Sequence, residues 1–318
     1  IFEGIQEIGE EYNHKVDYFD SGIKIRNIQD SKISATSKMS ANYDHVFVVV
    51  GDNSLRYTWE GGKSFQKTAG ENKARSFLGL PGKQLDLVKA IYEKNKNLTV
   101  VYVSGKPISE PWIEDNIKSI IHAWEPGTKG GRSLGKIVFG MINPSGKMPI
   151  TTARSVGQLV MVYNHKPTNY IHKYAFEKTK PLYPFGYGLS YTTFSISAPK
   201  PSKYTWNGKG SLEVAATVTN TGNMAGAETV QLYIRDKFST VTRPVLELKA
   251  YDKIYLQPGE SKKVTFSLTA EAFAYYNIEM KYLAEKGDFI IYTGNSSAAK
   301  SLKKATINLT QNIYFDEK

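Results

Sequence analysis

The stretch HVFVVV at residues 45–50 is short and continuously apolar, as is typical of a strand buried on both faces of a parallel sheet. LTVVYV at 98–103 and SIIHAW at 119–124 have the same character. Between the first two runs lies PGKQLDLVKAIYEKN (81–95), where apolar residues recur at helical spacing behind a proline near the helix start. Strands that alternate with helices predict an α/β sandwich, a mostly parallel sheet with helices on both faces.

The pattern changes from about residue 186, where short stretches with alternating apolar residues replace the continuous runs. The turn sequences NTGN (220–223) and PGES (258–261) separate some of these stretches. The alternating stretches are SLEVAATV (211–218), TVQLYI (229–234), KVTFSL (263–268) and DFIIYTG (288–294). Short alternating strands with regular turns predict an antiparallel β-sandwich.

These patterns predict three segments along the chain. Residues 1–165 form the α/β sandwich domain, 166–190 form a connecting loop rich in Pro, Gly and aromatic residues, and 191–318 form the β-sandwich. A length of 318 residues agrees with two domains of ordinary size.

Composition and charge exclude several classes of protein. The net charge of +11 would suit a nucleic-acid partner, but the lysines are scattered, so a generally basic surface is the favoured interpretation. No apolar run of about 18 residues is present, so we expect no membrane span. The absence of cysteine excludes disulfides and thiolate metal sites, and the 5 histidines are dispersed. We expect neither a metal ion nor a cofactor.

A near match to a nucleotide-binding loop is discounted. GGRSLGKI (130–137) has Ile137 where such a loop needs a hydroxyl for magnesium, and its glycines fall inside a predicted helix.

The long segment from Gly51 to Leu80 follows the first predicted strand and contains Glu71. Loops that leave the carboxyl ends of parallel neighbouring strands share one sheet edge, where ligands bind in open α/β sheets. We therefore expect Glu71 to lie at that edge. With Lys73 and Arg75 so close, a surface ion pair is the alternative for Glu71 on spacing alone.

Longer motifs resemble the C-terminal half of glycoside hydrolase family 3, above all its bacterial β-glucosidase-like members. They occur in the family's order and, with the surrounding sequence, cover almost all of the chain from about Asp44 to Asn295. The motifs are NPSGKMPIT (143–151), SVGQLVMVYNHKPT (155–168), PLYPFGYGLSYTTF (181–194), VTNTGNMAGAETVQLYI (218–234) and RPVLELKAYDKIYLQPGES (243–261).

The resemblance implies an α/β sandwich followed by a fibronectin type III-like sandwich, both placed after an N-terminal (β/α)8 barrel. It also implies a retaining, exo-acting β-glycosidase that hydrolyses a β-glucoside or oligosaccharide. One carboxylate then attacks the anomeric carbon and a second acts as general acid and base. The family's acid/base is often a Glu shortly before an LPG..Q segment, and GENKARSFLGLPGKQ (70–84) matches that segment. Glu71 takes the acid/base position and Arg75 that of the family's Arg.

The barrel and its Asp nucleophile are not recognisable in these residues, and IFEGIQEIGEEY (1–12) resembles the helix after the family's usual first strand. We therefore expect a chain that is catalytically incomplete alone and a barrel on a separate or removed segment. Similar proteins place YNHKPT (163–168) near the active-site rim, so His165 and Lys166 are candidate substrate contacts, with a structural loop as the alternative. The chain departs from the family's usual pattern at two places in this region. Val160 stands where relatives commonly have Pro, and TTARS (151–155) replaces the family's usual sequence.

A non-catalytic carbohydrate-binding or scaffolding fragment is the alternative function. Such a module would bind sugars through exposed aromatic rings, for which Trp59, Trp112, Trp124 and Trp206 are candidates. Trp112 and Trp124 fall at the edges of predicted elements, so packing is the favoured interpretation for these two. Trp59 is also a candidate substrate contact of the enzyme. The resemblance suggests a periplasmic or secreted protein, and association as a homodimer is left open.

Overall fold

The structure is a computed structural model that describes residues 1–22, 28–52, 59–60, 63–64, 68, 75–167 and 173–315. The chain divides into two compact units. The α/β unit comprises residues 1–142 and 152–159, and the β unit comprises 143–151 and 160–318. The segment boundaries at residues 165 and 190 stay a prediction.

The α/β unit is built on a 3-stranded sheet with the order β1-β4-β5. Both neighbouring pairs are parallel, as predicted. A hairpin of two-residue strands, β2 and β3, interrupts the long segment after β1. The elements are α1 (Phe2–Glu11), α2 (Asp30–Ser40), β1 (Val46–Gly51), β2 (Trp59–Glu60), β3 (Lys63–Ser64), α3 (Gln84–Lys94), β4 (Leu98–Val103), α4 (Pro111–Asn116), β5 (Ser119–Trp124) and α5 (Gly130–Val138).

Successive residues of the central strand β4 enter two different apolar cores, because side chains alternate across a sheet. Val100 belongs to the core that contains Leu87 of α3. Val101 belongs to the core that contains Ile5 of α1 and Leu134 of α5. Both valines are fully buried, which explains the unbroken apolar run LTVVYV and confirms helices on both faces.

Two glycines of α5, Gly131 and Gly135, lie at its contact with α1. A Cβ on Gly4 would overlap the backbone of Gly131, and a Cβ on Gly135 would crowd the carbonyl oxygen of Gly4 and the side chain of Ile8. The glycine-rich sequence therefore serves close packing of two helices, which agrees with the discounted nucleotide loop.

The β unit contains the predicted antiparallel sandwich. A 5-stranded sheet has the order β11-β10-β15-β16-β8, and a 4-stranded sheet contains β12, β9, β6 and β7. Only the short β16–β8 pair is parallel among the pairings described for these two sheets. The strands are β6 (Phe194–Ile196), β7 (Lys200–Pro201), β8 (Thr205–Trp206), β9 (Leu212–Asn220), β10 (Gly226–Asp236), β11 (Glu247–Leu256), β12 (Ser261–Leu268), β13 (Tyr275–Tyr276), β14 (Tyr282–Ala284), β15 (Gly287–Gly294), β16 (Lys303–Leu309) and β17 (Ile313–Tyr314).

Trp206 is a core residue of the sandwich rather than an exposed aromatic platform. Its side chain is buried, its ring centroid lies 5.8 Å from that of Phe273, and its Nε1 donates a hydrogen bond to the Lys209 carbonyl at 3.0 Å. A buried ring cannot stack on a sugar in solvent, so its candidacy as a binding platform was wrong.

His122 of β5 lies among aromatic side chains of the α/β unit. Its ring centroid is 5.0 Å from that of Tyr102 and 6.4 Å from that of Trp124. Burial lowers the pKa of His122 from 6.5 to about 4. The folded unit therefore keeps this imidazole neutral at a pH where the unfolded chain would protonate it.

We predict that His122 makes the α/β unit less stable as the pH falls from 6.5 towards 4, since only the unfolded state gains a proton on His122 in that range. The lowered pKa corresponds to at most about 3 kcal/mol of unfolding free energy. His122→Phe removes this contribution and flattens the pH dependence. Urea unfolding read by hydrogen exchange in β4 and β5 measures it, and an unchanged slope in the variant would contradict the prediction.

Two carboxyl groups contribute with the opposite sign, Glu110 in the α/β unit and Asp236 in the β unit. Burial raises the pKa of Glu110, but Glu110 is present in both the parent chain and the His122→Phe variant, so the difference between them isolates His122. Hydrogen exchange of the α/β unit alone excludes the contribution of Asp236. Burial raises the pKa of Asp236 in the β unit to about 6, while the nearby Arg243 opposes this shift. Its folded state holds a proton that the unfolded state releases, so its contribution stabilises the β unit as the pH falls. This contribution has the opposite sign to that of His122.

Candidate functional site

The carboxyl ends of the three parallel strands meet at one edge of the sheet. Gly51 is in register with Val103, and Val103 with Trp124. The amide of Asp52 donates to the Val103 carbonyl at 3.2 Å, and that of Ser104 donates to the Trp124 carbonyl at 3.1 Å. The loops after β1, β4 and β5 therefore share an edge, as the sequence predicts.

Asp52, the first residue after β1, is the centre of a buried polar group that we call the Asp52 cluster: Asp52, Arg75, Ser104 and Lys106. The Asp52 side chain is only 1% exposed. Its Oδ2 is ion-paired with Arg75 and lies 3.1 Å from Lys106 Nζ. Its Oδ1 accepts a hydrogen bond from Ser104 Oγ at 2.9 Å. A carboxylate this deeply buried requires such partners, because its desolvation would otherwise be strongly unfavourable.

Arg75 makes further contacts that hold its guanidinium in place. Nη2 donates to the Gly79 carbonyl at 2.7 Å, and the guanidinium carbon lies 4.7 Å from the centre of the Phe77 ring. The Arg75 side chain is 11% exposed. The guanidinium of Arg75 is thus held against the Asp52 carboxylate and the Gly79 carbonyl.

Lys106 is the second cation of the cluster. Burial lowers the pKa of Lys106, the carboxylate of Asp52 opposes that shift, and the charge of Arg75 adds to it. Without Asp52, burial and Arg75 would both disfavour the charged lysine. The anion therefore stabilises two cations at once.

Gln84 holds the end of β1 from the first turn of α3. Its Nε2 donates to the Gly51 carbonyl at 2.8 Å, and its Oε1 accepts from the Gly51 amide at 2.7 Å. A Cβ at position 51 would overlap the Val103 carbonyl oxygen, so glycine allows the close approach of β1 and β4. The same glutamine ends the sequence LPGKQ.

Glu110, the residue just before α4, binds the backbone at the start of the same LPGKQ sequence (80–84). Its Oε1 accepts a hydrogen bond from the Leu80 amide at 2.6 Å. Burial raises the pKa of Glu110, while the Leu80 amide and Lys89 favour its charged form. No periodic pattern in the sequence points to Gln84, Ser104, Lys106 or Glu110, since a single polar residue carries no such signal. The one available signal was their position, just after a buried strand or beside LPG.

The predicted site residues fall in different parts of the chain. Glu71 lies outside the described residues, and Trp59 belongs to β2 with its side chain also outside them. Arg75 is in the Asp52 cluster, within the α/β unit. His165 and Lys166 are exposed residues of the β unit, where the His165 carbonyl accepts from the Val245 amide at 2.9 Å. Their predicted roles stay predictions.

Among the described residues, no group of three His, Asp or Glu side chains is placed to hold a metal ion. Within the described ranges, the helices are also too short or too polar to cross a membrane.

Two family models match the chain. The glycosyl hydrolase family 3 C-terminal domain matches residues 1–191, and the fibronectin type III-like domain matches residues 228–297. The first of these covers the whole Asp52 cluster.

Curated relatives and solved structures show the same likeness. The chain is 40% identical over 243 residues to a periplasmic beta-glucosidase of Salmonella typhimurium, covering 73% of this chain and 32% of the relative. It is 36% identical to a beta-xylosidase of Formosa agariphila, covering 98% and 41%. A β-glucosidase structure from Erythrobacter marinus superimposes with a TM-score of 0.85 at 32% identity, covering 97% of this chain and 43% of that one. The chain thus spans between about a third and about two fifths of the length of these proteins.

We predict that Asp52→Asn lowers the unfolding free energy of the α/β unit by about 3 kcal/mol, because it leaves two buried cations without their anion. Hydrogen exchange at increasing urea in the peptides of β1 and β4 measures this loss.

Asp30→Asn is the matched control, since Asp30 pairs with Lys83 at 2.6 Å but its side chain is 82% exposed. The control change should lower stability by less than about 1 kcal/mol. Equal losses in the two variants would show that the Asp52 cluster has no special role.

Proposed function

Because this chain belongs to glycosyl hydrolase family 3, we propose that it is the C-terminal part of a retaining, exo-acting β-glycosidase and supplies its general acid/base, Glu71. The nucleophilic Asp belongs to a (β/α)8 barrel outside these 318 residues. The chain alone is then catalytically incomplete. The substrate is a β-glucoside or an oligosaccharide with a terminal β-linked sugar.

The observation that supports this proposal is the ion pair between Asp52 and Arg75, the residues that flank the segment containing Glu71. Asp52 and Arg75 lie 23 residues apart in sequence and are joined by an ion pair at the carboxyl edge of β1. The segment between them therefore begins and ends at the edge where α/β sheets bind ligands. Glu71 is four residues before Arg75 in the sequence.

In the proposed reaction, the barrel Asp attacks the anomeric carbon while Glu71 donates its proton to the departing glycosidic oxygen. The sugar is then covalently bound to the Asp, and the leaving alcohol departs. Glu71, now a carboxylate, takes a proton from water as that water attacks the anomeric carbon and releases the Asp. Each cycle consumes one water and returns both carboxyl groups to their starting states.

The Asp52 cluster also bears on the acidity of Glu71. A general acid needs a pKa raised towards the working pH, and a free guanidinium nearby would lower it. Asp52 compensates the charge of Arg75, so we propose that Arg75 positions the segment without strongly acidifying Glu71. Arg75 also stays the candidate for a substrate contact.

Trp59, His165 and Lys166 are the other proposed substrate contacts. We place the protein in the periplasm or outside the cell, in line with the name of the Salmonella relative. The alternative, a non-catalytic sugar-binding or scaffolding fragment, is not favoured, since the relatives found are named as glycosidases.

We predict that Glu71→Gln slows hydrolysis of cellobiose by about 10²- to 10⁴-fold, the usual contribution of a general acid. A 2,4-dinitrophenyl β-glucoside should lose far less in its glycosylation step, because its leaving group departs without protonation. Azide should restore turnover of the aryl substrate as an external nucleophile. The assay measures kcat/KM for both substrates, and kcat for the aryl substrate with and without azide, in a protein that contains this chain together with its barrel.

Glu60→Gln is the matched control, with the same substitution in the same segment, and it should leave both rates nearly unchanged. Equal losses for the two leaving groups in the Glu71 variant would argue against Glu71 as the acid.

A further inference from the structure

The β unit contains a cavity of about 620 Å³ that lies entirely within residues of that unit. Small-molecule sites in proteins commonly have volumes of about 300–1,000 Å³. Apart from four apolar residues, the described lining consists of Tyr163, His165, Tyr292, Ser297, Lys303 and Lys304. We propose that this cavity binds an anionic sugar, one that carries a carboxylate or sulfate on its ring.

One tyrosine of the lining belongs to the 5-stranded sheet, and the other packs against that sheet. Tyr292 of β15 is directly opposite Tyr233 of β10 on one side and Lys304 of β16 on the other. Directly opposed residues share one face of a sheet, so these three side chains form a row. Tyr233 is fully buried, and the Tyr163 ring lies edge-on to it with centroids 5.9 Å apart. Tyr163 also stacks on Phe185 at 4.4 Å. The two tyrosines that line the cavity are therefore held in place.

The hydroxyl groups in the lining suit a polyhydroxylated ligand. Ser297 Oγ donates its hydrogen to the Phe185 carbonyl at 3.0 Å, which leaves its lone pairs to accept. The Tyr163 hydroxyl oxygen lies 3.5 Å from the Leu248 amide as an acceptor, which leaves its hydrogen to donate. Ser297 can therefore accept a hydrogen bond from a ligand, and Tyr163 can donate one. A sugar matches this pair of residues, because its hydroxyl groups both donate and accept.

The positive charge of the lining indicates that the ligand is an anion. Lys303 and Lys304 are exposed at the start of β16, and none of the described lining residues is acidic. The ion pairs described in this unit use other cations, namely Lys147, Lys237, Arg243, Lys249 and Lys281. Lys304 shares the sheet face of Tyr292, whereas Lys303 is opposite the buried Thr293 on the other face. Lys304 beside aromatic and hydroxyl groups favours a ligand with an anion on a ring, through a charge-assisted hydrogen bond.

Binding is tested with the 318-residue chain and methyl β-D-glucuronide as the probe, with the amide signals of β15 and β16 followed by NMR at low salt. We expect saturable shifts that weaken as salt is added, since exposed charges are screened within about 10 Å at 0.1 M. Methyl β-D-glucoside, which lacks the charge, should bind about tenfold more weakly or not at all. His165 lines this cavity and is also one of the proposed substrate contacts. The measurement needs neither Glu71 nor a barrel, so its failure is distinguishable from a failure of Glu71 as the acid.

The role of Lys304 is tested by Lys304→Gln, which should weaken glucuronide binding about tenfold. Lys263→Gln is the matched control, since it removes the same charge from an exposed residue of β12 and should leave binding unchanged. Four results would overturn the proposal: no glucuronide binding, equal binding of the glucoside, equal loss in the control variant, or inorganic sulfate or AMP binding as tightly as the glucuronide.

Discussion

The buried carboxylate of Asp52 is the constraint on which the candidate site depends. It lies between Arg75 and Lys106 at the end of β1, and it joins three parts of the chain that are far apart in sequence. A charge removed from water must be matched by partners in a low-dielectric setting, and breaking such a match is strongly unfavourable. The arrangement therefore specifies where the chain leaves the sheet after β1 and where it returns at Arg75, on either side of the segment that contains Glu71 in the sequence.

The sheet beneath this cluster is held by packing of a different kind. Val100 and Val101 enter opposite cores, and glycines allow α1 and α5 to approach closely. Apolar burial of this type is nondirectional, whereas the contacts of Gln84 with Gly51 and of Glu110 with Leu80 are directional. The apolar contacts stabilise the unit, and the polar ones orient its functional edge.

The β unit shows which strands an alternating apolar pattern can predict and which it cannot. β9, β10, β12 and β15 were predictable because their apolar residues alternate. β11 was not predicted from alternation, and its side chains are mostly exposed or partly buried, so it carries little periodic signal. Trp206 shows the same limit for a single residue, since nothing in its local sequence distinguishes a core indole from an exposed one.

The two fold classes, seven of the 17 strands described, the shared sheet edge and the family resemblance could be inferred from the sequence, because periodicity and long motifs are visible along the chain. The burial of Asp52, its pairing with Arg75 and Lys106, and the cavity lined by Tyr163, Tyr292 and Lys304 became visible only in the folded chain. These features join residues that are distant along the chain, and their burial and charge pairing exist only once the sheets have formed.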